Sequence, residues 1–193
     1  LARLLIDTNA AEQTDKPVKL LETVDGPDAE KDADTHEKAA YLLGATLFKK
    51  GDWVKAEYRL ARALQFYPNG AESAKSRFWQ GRCYWFQAAA RATKIKELGL
   101  KQQELTTQVA QRGGTPNEAE TSRRKQLDEQ VAQEEAGYRE ALVRARTPFQ
   151  EVEDRLLKKK SAEPLNPDEP KLLRLTSFPP PERSLNPGDY VAF

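Results

Sequence analysis

The two side chains that most often act as nucleophiles, proton shuttles or soft metal ligands each occur once in this chain, as Cys83 and His36. A single cysteine cannot form an intrachain disulfide, and we interpret Cys83 as a small buried helix residue rather than a reactive thiol. His36 lies beside a predicted helix start, which favours a surface or capping role. Without a second histidine or a cysteine cluster, the sequence contains no recognisable zinc site.

A group of aspartates between residues 25 and 34 could in principle bind a hard cation, because calcium prefers carboxylate oxygens. Its members are Asp25, Asp28, Asp32 and Asp34. They lack the ordered spacing, central glycine and terminal glutamate of a calcium-binding loop, so we interpret this segment as a solvated linker. The sequence also lacks a phosphate-binding P-loop and a nucleophile elbow. We therefore expect a protein that is not an enzyme and has no cofactor.

The charge balance argues against nucleic acid as a partner. The 193 residues include 31 lysines and arginines and 30 aspartates and glutamates, which gives a formal net charge of +1. Such a balance creates no strong electrostatic field. Charged residues make up 32% of the chain, and the mean hydropathy is −0.78. These values are typical of helices with much surface in water. No run of about 18 apolar residues occurs, so we expect no membrane span.

The most regular pattern covers residues 37–68, which read EKAAYLLGATLFKKGDWVKAEYRLARALQFYP. The pattern predicts two antiparallel helices that are joined at Gly51-Asp52 and end before Pro68. Asp34 and Glu37 predict a capping box at the start of the first helix. This segment must therefore position any binding residues that it carries as a helical hairpin.

The hairpin resembles the tetratricopeptide repeat (TPR) family. With Pro68 on the closing proline of that family, Leu43-Gly44 fall on its Leu-Gly pair, and Ala56 and Ala63 fall on its two small positions. A divergent second repeat follows, in which Gly81 takes the glycine position of the Leu-Gly pair. The resemblance implies a short solenoid that binds a peptide on a concave face formed mainly by first helices.

The groove positions of the family carry over to this chain residue by residue. The resemblance implies partner-binding roles for Lys38, Tyr41, Ala45, Phe48, Lys49, Lys75, Phe78, Arg82, Trp85 and Phe86. Aromatic rings beside lysine and arginine could hold an extended or helical protein segment with acidic groups.

On the third predicted helix the aromatic residues divide between two faces. Phe78, Arg82 and Trp85 share the face that is the better groove candidate, whereas Trp79 and Cys83, with Phe86, share the better core candidate. For these rings as a group, the sequence favours packing of the third helix into the core over a ligand groove.

From about residue 90 the sequence predicts two long polar helices that are joined by Gly113-Gly114-Thr115-Pro116. Apolar residues recur at coiled-coil spacings on both helices, among them Leu98, Leu105 and Val131, which predicts an antiparallel coiled-coil hairpin. Thr147-Pro148 and Asn166-Pro167 predict further helix restarts or kinks.

The fold prediction is all-α. It comprises TPR-like helical repeats over residues 1–90, a long helical coiled-coil hairpin over 91–160, and an extended proline-rich tail over 161–193 that could begin a further repeat. We expect a non-catalytic protein interaction scaffold whose groove binds a peptide or protein segment.

Two alternatives stay open. One is an assembly or tethering protein that self-associates through the coiled coil, and the other is a regulatory fragment of a larger enzyme. The pattern is also similar to bacterial cell-envelope TPR proteins, and this similarity favours the periplasm or cell envelope over the cytoplasm.

Overall fold

The computed structural model describes residues 18–19, 33–167 and 169–176, and the ordered elements in these ranges are helices. They are α1 (Ala33–Lys49), α2 (Trp53–Phe66), α3 (Ser73–Gln111), α4 (Glu118–Ala162) and α5 (Glu169–Thr176). No strand occurs in these residues, so the prediction of an all-α fold is confirmed. None of the described helices contains a stretch that is long and apolar enough to span a membrane.

Helices α1 and α2 form the predicted helical hairpin. Gly51 adopts a φ of 82°, a conformation that favours glycine, and Asp52 caps α2 by accepting the Lys55 backbone N–H at 3.2 Å. Gly44 permits the close approach of the helices, because a Cβ atom at this position would lie 2.5 Å from Cγ of Leu60. Leu60 is fully buried against this glycine.

The two long helices are more continuous than the sequence predicts. Helix α4 runs through Pro148 without a break, so of the predicted restart or kink at Thr147-Pro148 the restart does not occur. Asn117 caps the start of α4: its side chain accepts a hydrogen bond from the Glu120 backbone N–H at 2.9 Å, and the Glu120 carboxylate accepts one from the Asn117 backbone N–H at 2.9 Å.

The described chain divides into two compact units, the first of which comprises residues 33–85 and 144–176. Its central cluster contains Phe78, Val152, Leu156 and Leu172. Residues 169–176 therefore correct the prediction of an extended tail, because they form α5 and bury Leu172 in this cluster. The proline-rich stretch from residue 177 lies outside the described residues, as does the start of the predicted repeats over residues 1–32, except for 18–19.

The second unit comprises residues 86–143, in which the C-terminal part of α3 pairs with the N-terminal part of α4. Leu98, Leu105, Leu127 and Val131 form its apolar seam. Arg91 binds Glu134 at 2.8 Å, and Gln102 donates to Asp128 at 2.7 Å. These contacts join the two segments in antiparallel direction. We call this unit the arm.

Candidate partner-binding groove

A cavity of about 350 Å³ lies between α1, the first turns of α3 and α5. Its apolar lining comprises Tyr41, Leu42, Ala45, Phe78, Trp79, Leu172 and Leu175. Its charged lining comprises Lys38, Lys49, Lys75 and Lys171, together with a single acid, Glu72. We call this cavity the groove, and it combines an apolar surface with an excess of positive charge.

The periodicity of α1 places its groove residues on one face. Lys38, Tyr41, Ala45 and Lys49 follow one another at spacings of three and four residues, so their side chains point in one direction. Leu43 lies on the opposite face and is completely buried. Helix α1 therefore presents one side to the groove and the other to its partner α2.

The electrostatics of the groove are dominated by ammonium groups. Lys75 Nζ lies 3.1 Å from Oε2 of Glu72 and 5.9 Å from the centre of the Tyr41 ring, so one lysine is held by an acid and an aromatic face. Lys38, Lys49 and Lys171 are exposed. Four cations around one carboxylate create a positive potential that attracts acidic groups and weakens with added salt.

The structure brings together six of the ten residues to which the resemblance gives partner-binding roles. Lys38, Tyr41, Ala45, Lys49, Lys75 and Phe78 all line the groove.

The other four, Phe48, Arg82, Trp85 and Phe86, do not line the groove. Phe48 and Trp85 are 8% and 7% exposed and belong to the core. The Arg82 guanidinium lies 5.0 Å from the centres of both the Phe48 and the Trp79 rings, so it stacks between aromatic residues.

The division of aromatic residues on α3 differs from the sequence prediction. Phe78 is 7% exposed, because α4 covers it with Phe149 and Val152. Trp79, assigned to the core from the sequence, lines the groove instead. On the face of α3 that is the better groove candidate from the sequence, Phe78 is therefore covered in part by residues from the C-terminal part of α4.

Sequence reasoning missed the groove wall that α5 provides, although a signal for this helix exists. The Asn166-Pro167 pair and Glu169 predict a helix start, and the Asn166 backbone N–H donates to Oε2 of Glu169 at 2.6 Å. Leu172 and Leu175 follow at helical spacing and reach the groove. The prediction of an extended tail over residues 161–193 overlooks this amphipathic helical pattern.

An ion pair holds the start of α5 against α4. Lys159 Nζ lies 2.9 Å from both carboxylate oxygens of Glu169. Burial opposes ionisation of Glu169, but hydrogen bonds from Lys159 and from the Asn166 backbone outweigh it, so the pKa of Glu169 lies below its ordinary value. This ion pair anchors α5 to α4 outside the groove.

Cys83 and His36, the two residues considered first for chemistry, lie in structural positions. Burial, reinforced by the nearby Glu57 carboxylate, raises the pKa of the Cys83 thiol to about 12, so it is not a thiolate at neutral pH. His36 Nδ1 lies 2.7 Å from the Tyr67 hydroxyl, which joins α1 to the end of α2. In the part of the chain that the structure describes, no group of three or more His, Cys, Asp or Glu side chains could hold a metal ion.

Comparison with protein-family models, with curated proteins and with solved structures finds no match to this chain. The groove and its charge are therefore the observations from which a function can be argued.

Proposed function

We propose that this chain is a non-catalytic protein interaction module that binds an acidic segment of another protein in the groove. The observation that carries the proposal is the combination of an apolar lining with four lysines and one glutamate in one cavity of about 350 Å³. An apolar side chain of the partner enters the cavity, and carboxylates on either side of it meet the lysines.

The contributions of the different contacts to the binding free energy determine which groups of the partner supply most of the affinity. An exposed lysine–carboxylate pair contributes about 0–1 kcal/mol, because water screens the charges and the lysine loses side-chain freedom. Burial of one leucine-sized side chain contributes about 1.5–3 kcal/mol. The apolar anchor therefore supplies most of the affinity, and the lysines select acidic partners and accelerate their association.

The helical hairpin supports a binding role. Gly44 packs closely on Leu60, and Ala56 and Ala63 are buried, as expected for a TPR-like repeat. We propose that the chain is a divergent member of this class of interaction proteins. Its similarity in pattern to bacterial cell-envelope repeat proteins supports a location in the periplasm or cell envelope.

Fluorescence anisotropy with a labelled synthetic peptide tests the proposal. The peptide places leucines three and four residues apart on a helix and carries glutamates at its other positions. We expect the double variant Lys38→Glu/Lys49→Glu to bind at least about tenfold more weakly, a loss of about 1.4 kcal/mol.

The control for this experiment changes the net charge equally but elsewhere. Lys96 and Lys101 are exposed residues of the arm, so Lys96→Glu/Lys101→Glu should leave the affinity nearly unchanged. Equal losses in both double variants would mean that binding depends only on net charge. Absence of binding by the wild type would contradict the proposal directly.

A second candidate function is self-association through the arm, which two exposed apolar side chains favour. Leu100 is 53% exposed and Val143 is 70% exposed. Analytical ultracentrifugation tests this candidate: a dimer that Leu100→Glu or Val143→Glu converts to a monomer supports it, and a wild-type monomer at high concentration excludes it.

A further inference from the structure

Helix α5 already provides one wall of the groove, and it does so with leucines. Leu172 is 8% exposed and packs with Phe78, Val152 and Leu156. Leu175 lines the cavity one helical turn further on. A short amphipathic helix of the chain itself thus occupies part of the apolar surface that we assign to a partner.

The charges of α5 do not match those of the groove. Lys171 lies beside Leu172 and adds a fourth lysine to the three that α1 and α3 contribute. The acidic residue of α5 in its first turn, Glu169, binds Lys159 of α4 instead of a groove lysine. Helix α5 therefore covers apolar surface without neutralising the lysines, and a helix with carboxylates in place of Lys171 would fit the groove better.

Helix α5 is also short. It contains eight residues, whereas isolated helices of fewer than about 12–15 residues are marginal in water. Its position therefore depends on its docked leucines and on the Lys159–Glu169 ion pair. The connection from α4 spans only residues 163–168, so the local concentration of α5 at the groove is high. A short helix that is held by a few leucines, one ion pair and its tether can be replaced by a better-matched segment without unfolding the remainder of the unit.

We propose that α5 is an intramolecular competitor for the groove, and that an acidic amphipathic helix displaces it by placing its own leucines where Leu172 and Leu175 lie. Lys171 leaves with α5, so the carboxylates of this helix meet the three lysines of α1 and α3, which are Lys38, Lys49 and Lys75. The proposal rests on the proposed function of the groove. Only molecules in which α5 is undocked bind the partner fully. The apparent Kd therefore equals the intrinsic Kd divided by the undocked fraction, so docking of α5 weakens the apparent affinity. The partner class is thereby narrowed to helices with two leucines on one face and acidic residues beside them.

Hydrogen exchange of the full chain, with and without the leucine–glutamate peptide described above, tests the displacement. We expect the backbone amides of residues 169–176 to exchange faster when the peptide is bound, while those of α1 exchange more slowly. A fixed wall would give the opposite result for α5, because a bound peptide would then protect it. Increased protection of residues 169–176 would overturn the proposal while leaving the proposed function intact.

Variants of α5 provide an independent readout. Leu172→Ala weakens docking of α5, so we expect it to raise the peptide affinity several-fold, whereas Leu157→Ala, at a half-exposed leucine of α4, should have no effect. Glu169→Gln removes the Lys159–Glu169 ion pair without changing a core residue. It should also raise the peptide affinity, and it tests the proposal even if Leu172→Ala unfolds the unit. A lower affinity of the Glu169→Gln variant would overturn the proposal. Absence of binding by the wild type and both α5 variants would overturn the proposed function as well.

Discussion

The side chain of Glu37 accepts a hydrogen bond of 2.9 Å from the backbone N–H of Glu72. A second bond, of 3.1 Å, comes from the N–H of Ala71. Glu37 is 5% exposed, so a buried carboxylate of α1 satisfies two backbone groups that precede the first residue of α3. This contact fixes the helix that carries Lys75 against the helix that carries Lys38, and it aligns the two sides of the groove.

Removal of the Glu37 carboxylate should destabilise the first unit. We expect Glu37→Ala to lower the free energy of unfolding by about 1–3 kcal/mol, because two backbone N–H groups lose their acceptor in a region that water reaches poorly. Urea unfolding measures this loss. Glu37→Gln retains one acceptor oxygen and should lose less, and Lys38→Ala at the exposed neighbouring position should change stability by less than about 0.5 kcal/mol. Equal losses for Glu37→Ala and Lys38→Ala would contradict this role.

The close approach of α1 and α2 at Gly44 gives a second prediction. In Gly44→Ala the new methyl group meets the buried Leu60 side chain, and we expect a loss of about 1–3 kcal/mol. Gly99→Ala is the matched control, because Gly99 also lies inside a helix but no atom lies within 4 Å of its added Cβ. It should stabilise the protein by about 0.5–1 kcal/mol. Thermal unfolding that shifted in the same direction for both variants would exclude steric contact as the cause.

Local signals account for what the sequence predicts correctly. Gly51 specifies a turn and Asp52 specifies a helix cap. The Leu43-Gly44 pair specifies where two neighbouring helices contact each other. The spacing of Lys38 and Tyr41 on one helix face then places one wall of the groove. All these relationships connect residues that are close in sequence, so the amino-acid sequence is sufficient to predict them.

Long-range packing accounts for what the sequence does not predict. Phe78 meets Phe149 and Val152 from a helix more than 60 residues later, and no local pattern indicates which face of α3 that helix covers. The Glu37 carboxylate pattern predicts a capping box with Asp34, but its hydrogen bonds go to Ala71 and Glu72. A carboxylate that can serve its own helix or a distant one is ambiguous until the tertiary contacts are known.

Cys83 should not react with thiol reagents in the native protein. It is completely buried, and its pKa of about 12 leaves almost no thiolate at pH 8. We expect iodoacetamide to modify it only after unfolding in urea, as measured by mass spectrometry of the intact chain. Gly44→Ala, which destabilises the same unit, should accelerate modification in proportion to the unfolded fraction. Rapid modification of the native wild type would show that the thiol is accessible and would reopen a chemical role.

Acid should loosen α5 before it unfolds the first unit. Because the pKa of Glu169 is lower in the folded protein than its ordinary value of 4.5, the folded state binds this proton more weakly than the unfolded state does. The contribution of the carboxylate to docking is therefore fully present above pH 4.5 and is lost as the pH falls through the lower native value. We expect the NMR signal of the Leu172 backbone amide to move in this range, while that of Val152 in the same cluster stays unchanged. Glu169→Gln removes the titrating group and should abolish the separate transition of Leu172. A transition of Leu172 that persists in this variant, or that coincides with that of Val152, would show that the Lys159–Glu169 pair does not control the docking of α5.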